Sequence, residues 1–327
     1  VALAWTNDPA LWMLINICFN FSMSLLGVSV NSHAVMLQKQ ISINIIGRMH
    51  AGWSLGAVGA AITGAISTTF LSLELFLILV AIVTIFIFEF TLRWLLSPDE
   101  DGHVEERAGV VKRRFYQMPS QLWFLAIGLF AAIYPEVAVI DWAAVFARDV
   151  LNVDVALRSI PFGVFMIGMI VGRLSMTRLA EKYHPHFLAS RGAFIAAAAL
   201  ALTALSASAL SSFNTILGLI VASILWGLAG LGLAPASPAF FSAGGHIPGV
   251  STAWAVSRLS LFNSSVAIGA KAGMGALVEG VGLSSAFFFP VILAVISGII
   301  ADQWAKRARK SELDAAAPPT GPMSVIV

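Results

Sequence analysis

Long apolar stretches alternate with short polar ones along most of the chain. A transmembrane α-helix needs about 20 mainly apolar residues to cross the roughly 30 Å hydrocarbon core of a bilayer. Nine stretches have about this length, and they cover residues 10–35, 46–69, 72–95, 121–147, 157–180, 190–210, 213–241, 250–275 and 282–304. The pattern therefore predicts an all-α, polytopic membrane protein with nine transmembrane helices.

One polar connection is much longer than the others and divides the predicted helices into three and six. It contains an acidic run followed by Lys112, Arg113 and Arg114. The sequence predicts four parts: 1–96, the remainder of an amino-terminal bundle of three helices; 97–119, a central cytoplasmic loop; 120–305, a six-helix bundle; and 306–327, a cytoplasmic tail.

The three-to-six division is uneven for a membrane protein of this kind. Many transporters consist of two related multi-helix halves. If this chain is one of them, three helices that would precede Val1 are missing, and the intact protein would have twelve. We expect the sequence to be an amino-terminally shortened chain.

Basic residues predict the orientation of the helices, because lysine and arginine near span ends favour the cytoplasm. Every second connection is basic, and the basic ones carry, among others, Lys39, Arg48, Arg93, Arg178 and Lys306. The amino terminus is therefore expected outside and the carboxyl terminus in the cytoplasm.

Composition excludes several classes of function. Hydrophobic residues make up 58% of the chain and charged residues 11%, with a formal net charge of +2, so no basic stripe for nucleic acid is expected. The single cysteine, Cys18, cannot form an internal disulfide. The histidines lack metal-ligand spacing, and no phosphate-binding loop of the ATPase type occurs. We expect neither a metal nor a cofactor, and no enzymatic activity.

The second predicted helix has two unlike faces. Gly52, Gly56 and Gly59 lie on one side and predict close packing against a neighbouring helix. His50, Trp53 and Ser54 lie on the other side. This face is expected to contribute to a central pathway, where His50 serves either solute and proton binding or the inner gate.

Charged and polar residues inside other predicted helices are the remaining candidates for binding. Glu136 and Asp141, with neighbouring Trp142, lie in the fourth helix, where an unpaired carboxylate is costly; structural pairing is the alternative to a role in the cavity. Arg258 in the eighth helix should face a carboxylate, water or an anionic ligand. Asn31 in the first helix either joins helices by hydrogen bonds or contacts the solute.

The seventh predicted helix contains Gly227, Gly230 and Gly232, followed by Pro235 and Pro238. Helix packing alone could account for the glycines. Proline interrupts helical hydrogen bonding, and two prolines in one span predict a hinge.

Three segments resemble the major facilitator superfamily of secondary transporters, within it the bacterial inner-membrane branch related to fucose permease. The segment from His50 to Gly56 resembles the branch's H-G-x-x-S-L-G signature, with Ala51 where glycine is common. EVAVIDWAAVFARDVL, from Glu136, resembles a signature of the family's seventh helix. GRLSMTRLAEKY, from Gly172, resembles the loop motif between the eighth and ninth helices, with Thr177 in place of the usual acidic residue.

The resemblance implies functions for particular residues and for the whole protein. Two bundles would rock about a central cavity, and the loop motif would support the inner gate through Gly172, Arg173, Arg178, Glu181 and Lys182. The implied protein is a monomeric permease of the inner membrane, a symporter or an antiporter, with a small solute and protons as partners besides the lipid bilayer.

Two other interpretations stay open at this point: a membrane receptor that binds solute without translocating it, and a non-functional fragment. The sequence does not identify the solute.

Overall fold

The computed structural model describes residues 2–41, 43, 45–67, 70–97 and 117–316, and all regular structure in this part of the chain is helical. The helices are α1 Ala2–Trp5, α2 Pro9–Ile41, α3 Ile46–Ser67, α4 Leu73–Leu92, α5 Ser120–Asp149, α6 Ile160–Leu179, α7 Pro185–Phe213, α8 Thr215–Leu233, α9 Ala236–Gly245, α10 Thr252–Val281, α11 Leu283–Ala286 and α12 Phe288–Ala316. A single 3₁₀ turn, Val155–Leu157, lies between α5 and α6 among these residues.

The all-α, membrane-spanning prediction is confirmed. Each of the nine predicted stretches coincides with helix, and within the described ranges seven helical segments are long and apolar enough to cross a membrane. The apolar part of α6, Ile160–Met176, is shorter than these segments, and α3 is not among the seven. Most of the predicted central loop, residues 98–116, lies outside the described residues.

Two helix boundaries differ from the sequence prediction. The seventh predicted span divides into α8 and α9 around Ala234 and Pro235. The last helix continues to Ala316, so residues 306–316 of the predicted tail extend α12. Residues 317–327 lie outside the described part.

Side chains cap the first turns of helices that follow short connections. Asn214 accepts a hydrogen bond from the Leu217 amide (3.0 Å) at the start of α8, and Ser251 accepts one from the Trp254 amide (3.3 Å) at the start of α10. Such caps satisfy amides that have no partner within the helix, and they fix where each new helix begins.

Glycine contacts bring three carboxyl-terminal helices close together. A Cβ on Gly192 of α7 would collide with the carbonyl of Gly232 in α8, and one on Gly168 of α6 would collide with the carbonyl of Gly227. Small residues permit such close approach of membrane helices. The glycines of the seventh predicted span therefore serve packing.

The amino-terminal helices pack mainly against the carboxyl-terminal ones. α3 lies against α6, and α2 lies against α10. α4 has no buried residue. A Cβ at Gly52, Gly56 or Gly59 would meet no atom within 4 Å, so the expected close packing against these glycines of α3 is not seen among the described residues.

Candidate functional site

A buried ion pair joins α5 to α6. Arg173 Nη2 donates to both carboxylate oxygens of Glu136, at 3.2 Å and 3.1 Å. The two side chains are only 2% and 9% exposed. Since each charge would be costly alone at this depth, the pairing explains how both residues are accommodated.

Close helix packing positions Arg173. A Cβ on the preceding Gly172 would collide with Ala234 and meet the carbonyl of Leu231, so α6 lies directly against the end of α8. Glu136 follows Pro135, which lies inside a continuous α5. Pro135 therefore does not interrupt α5 next to the ion pair.

Arg173 also reaches the amino-terminal helices. Its Nη1 donates to the backbone carbonyl of His50 at 3.3 Å, and its guanidinium lies 6.0 Å from the centre of the Trp53 ring. The His50 ring stacks on Phe241 of α9 with a centroid separation of 6.3 Å. The histidine and tryptophan side of α3 is thus the side that faces the carboxyl-terminal helices.

Further contacts join the same two groups of helices nearby. Gln38 Nε2 of α2 donates to Ser242 Oγ of α9 at 3.0 Å. A Cβ on Gly47 of α3 would lie 3.4 Å from the Cβ of Met176 in α6. We call this side of the molecule, which has Arg48 in the first turn of α3 and Lys306 in α12, the basic end. The contacts described here join the two helix groups at that end.

A second ion pair, more exposed than the first, joins α5 to α10. Lys271 Nζ lies 2.7 Å from Asp141 Oδ2, and the side chains are 52% and 34% exposed. Tyr134 of α5 donates a hydrogen bond to the Ala270 carbonyl at 2.8 Å, close to the pair in α10. The sequence did not indicate Lys271 as the partner of Asp141. Arg148, which lies in the same helix as Asp141, pairs with Asp149 (2.5 Å).

The other candidate residues lie apart from the first ion pair. Asn31 donates to the Gly27 carbonyl of its own helix at 2.8 Å. The Arg258 guanidinium lies 5.2 Å from the Trp254 ring centre, and Trp142 packs half-buried against the core. The side chain of Ser54 lies outside the described residues.

The residues of the loop motif and the hinge prolines have distinct environments. Arg178, Glu181 and Lys182 are exposed at and just beyond the end of α6. Pro235 precedes the first residue of α9, and Pro238 is buried in its first turn. The helix is therefore interrupted at the predicted hinge, although nothing here tests movement about it.

Among the described residues, no group of three or more histidine, cysteine, aspartate or glutamate side chains is arranged to hold a metal ion. The site is instead built from ion pairs and from contacts between helices.

Comparisons with known proteins give a consistent result. The family model for the Major Facilitator Superfamily matches residues 1–270. An uncharacterized transporter of Sinorhizobium fredii is 27% identical over 281 residues, which are 84% of this chain and 69% of the relative. An uncharacterized MFS-type transporter of Yersinia pestis is 23% identical over 286 residues, 86% of this chain and 69% of the relative.

A crystal structure of the MFS transporter FucP in the outward conformation has a similar fold. The TM-score is 0.64 at 17% identity, over 85% of this chain and 72% of that one.

Proposed function

The chain belongs to the major facilitator superfamily of membrane transporters, and from this membership we propose that it is a secondary active transporter of a small polar solute that works by alternating access with proton coupling. Transporters of this family are not enzymes, and the chain is a multi-pass membrane protein.

The buried Arg173–Glu136 pair is the observation that carries the proposal. The pair lies between α5 and α6, and Arg173 also donates to the His50 carbonyl of α3. The Arg173–His50 hydrogen bond joins the two helix groups and can form and break as they move. We assign the pair, with His50, Trp53 and the loop-motif residues after Arg173, to an inner gate.

The closed contacts at the basic end support a state that opens toward the opposite side. The similar FucP structure is in the outward conformation, which agrees with this assignment. On the opposite side, we assign solute binding to Asp141, Lys271 and the neighbouring Trp142. The Asp141–Lys271 ion pair is partly exposed and therefore accessible to a polar ligand.

Proton coupling requires a carboxylate that gains and loses a proton as the gate works. Glu136 is suited to this role, because Arg173 holds both its carboxylate and the His50 carbonyl of α3. A shift of Arg173 when the hydrogen bond to α3 breaks would leave the Glu136 charge without its partner and favour the protonated form. Opening of the gate and protonation of Glu136 would then occur together.

Transport assays test the function directly. Solutes that raise the thermal stability of the purified chain are loaded into proteoliposomes and assayed for counterflow of labelled solute. We expect counterflow, and uptake that stops when the proton gradient is collapsed. A solute that binds without counterflow would refute translocation, and uptake that persists without the gradient would refute proton coupling.

The variant Glu136→Gln tests the proposed coupling residue. It should retain counterflow, which needs no net proton movement, and lose gradient-driven uptake. The matched control is Asp154→Asn, since Asp154 is an exposed carboxylate in the turn between α5 and α6. Equal loss of gradient-driven uptake in both variants would contradict the assignment.

In the proposed orientation, the basic end lies on the cytoplasmic side of the inner membrane. A reporter that fluoresces only in the cytoplasm, fused after residue 327, should be bright, while a periplasmic phosphatase at the same position should be inactive. The reverse result would overturn the orientation.

A further inference from the structure

A cavity of about 420 Å³ opens at the basic end, away from both ion pairs. The starts of α5 and α7, the end of α9 and the last part of α12 surround it. Its size falls in the range of roughly 300–1,000 Å³ that small-molecule sites occupy. Neither the Arg173–Glu136 pair nor the Asp141–Lys271 pair lines it, so the proposed transport site does not account for it.

The walls of the cavity carry hydrogen-bond donors and a positive charge. Gln121, His184, His186, His246 and Arg307 line it, and none of its described lining residues has a carboxylate. The Arg307 guanidinium lies 4.9 Å from the Phe124 ring centre, which holds it beside the cavity. The lining therefore favours an anion.

Two histidines of the cavity wall differ in their hydrogen bonds. His184 Nδ1 accepts a hydrogen bond from the His186 amide at 3.3 Å, so the proton of the neutral His184 ring is on Nε2. His186 is 4% exposed, and its Nδ1 has no hydrogen-bond partner among the described residues. A buried polar atom without a partner is uncommon and indicates that a ligand or water completes the wall.

Two helix amino termini add to the positive potential. α5 begins at Ser120 and α7 at Pro185, and both first turns contribute residues to the cavity wall. The positive end of each helix dipole favours an anion there; in α7 this effect acts without free amides at the start, since Pro185 has no N–H and the His186 amide donates to His184 Nδ1. At the carboxyl end of α9, which also borders the cavity, two backbone carbonyls already accept hydrogen bonds. His246 Nδ1 donates to the Ser242 carbonyl at 2.7 Å, and Thr252 donates to the Gly245 carbonyl at 3.1 Å.

We propose that this cavity binds a phosphate-bearing ligand, with Arg307 as the main donor to the phosphate oxygens. The phosphate belongs either to a soluble nucleotide-sized molecule or to an anionic lipid headgroup at the membrane surface. Ser242 lines the cavity and also receives the hydrogen bond from Gln38. The ligand therefore lies next to a contact that joins the two helix groups.

Binding to the purified full chain in detergent provides the test. Adenosine monophosphate is the soluble probe and adenosine, which lacks the phosphate, is its control. For lipid, the chain is placed in nanodiscs of phosphatidylglycerol or of phosphatidylcholine, and bound lipid is counted by native mass spectrometry after release. We expect adenosine monophosphate or phosphatidylglycerol to bind, and adenosine and phosphatidylcholine not to.

Variants test whether binding is at this cavity. Arg307→Ala should weaken binding of the phosphate probe about tenfold or more, as expected when a charged hydrogen-bond donor is removed. Arg309→Ala is the matched control, because Arg309 lies on the same helix and does not line the cavity. Gln121→Ala provides a second variant, with a smaller loss expected, should Arg307→Ala fail to fold.

Each outcome decides the proposal. Binding of adenosine monophosphate that is lost in Arg307→Ala identifies a soluble ligand, and selective retention of phosphatidylglycerol that is lost in the same variant identifies a lipid. Absence of binding by both probes, or equal weakening in Arg309→Ala, overturns the proposal. None of these results depends on transport activity.

Discussion

Arg173 makes three different contacts within the candidate site. It neutralises Glu136, donates to the His50 carbonyl and lies beside Trp53. From the sequence, Glu136 was predicted to bind solute or a proton, and Arg173 was predicted to belong to the gate motif. These predictions did not link the two residues. The two residues are 37 positions apart, and nothing in a single sequence indicates that their side chains meet.

Breaking the buried pair should destabilise the protein more than removing both of its charges. We expect Glu136→Gln and Arg173→Met each to lower the free energy of unfolding by about 3–5 kcal/mol, because each leaves one buried charge without the opposite charge that neutralises it. The double variant should lose less than the sum of the two. Unfolding by steric trapping in bicelles measures all three values.

Arg178→Gln is the control for this cycle, since Arg178 is an exposed arginine on the same helix. Effects of Glu136→Gln and Arg173→Met that simply add in the double variant would mean that the two side chains do not interact.

The Asp141–Lys271 pair should behave in the opposite way. Its side chains are 34% and 52% exposed, and exposed ion pairs contribute about 1 kcal/mol or less to stability. Asp141→Asn should therefore leave the free energy of unfolding nearly unchanged while impairing counterflow, if Asp141 binds solute. A loss of stability as large as that of Glu136→Gln, or unimpaired counterflow, would contradict this expectation.

At the scale of the helices, hydropathy was a reliable guide to position. A backbone inside lipid must satisfy its own hydrogen bonds, so a long apolar stretch leaves helix as the only simple choice. The interruption near Pro235 was anticipated for the same kind of local reason. The length of α12 was not, because residues 306–316 are mostly polar, yet most of them are alanine, lysine or arginine, which favour helix.

Contacts between helices were harder to predict than the helices. The glycine side of α3 was expected to pack closely, whereas the close crossings among the described residues involve α6, α7 and α8. Glycine spacing indicates where helices can approach one another, but it does not identify the partner helix.

The crossing of α7 and α8 should not tolerate a methyl group. Gly192→Ala would place a Cβ against the Gly232 carbonyl, and we expect a loss of about 1–3 kcal/mol in the free energy of unfolding, as in other overpacked interiors. Gly269→Ala in α10 is the control, because a Cβ there meets no atom within 4 Å. The control should be neutral or slightly stabilising, and equal losses in both variants would refute the packing role.

At the scale of the whole molecule, the two groups of helices meet at the basic end. α3 and α2 supply one side, while α6 and α9 supply the other. If alternating access operates as proposed, these contacts must separate once in every transport cycle. Covalent linkage across them should therefore stop the cycle.

A disulfide between α3 and α6 tests this requirement. A Cβ on Gly47 would lie 3.4 Å from that of Met176, close to the usual distance of about 3.5–4.5 Å in disulfides. In a Cys18→Ser background, which contains no other cysteine, Gly47→Cys with Met176→Cys should cross-link on mild oxidation. Counterflow should then fall and recover on reduction.

Gly52→Cys with Met176→Cys is the matched pair that should not cross-link, because Gly52 has no close neighbour. A disulfide formed in the Gly47→Cys, Met176→Cys variant that leaves counterflow unchanged would show that the basic end need not open.

The high hydropathy of α4 has a consequence for how the chain enters the membrane. α4 is the most apolar of the candidate spans among the described residues, and none of its residues is buried by protein. Its transfer from the translocon to lipid can therefore proceed on its own hydrophobicity before any tertiary contact forms. Biosynthesis can anchor this helix as soon as it emerges, and the assembly of α5 to α12 into a packed bundle becomes a later and separate event.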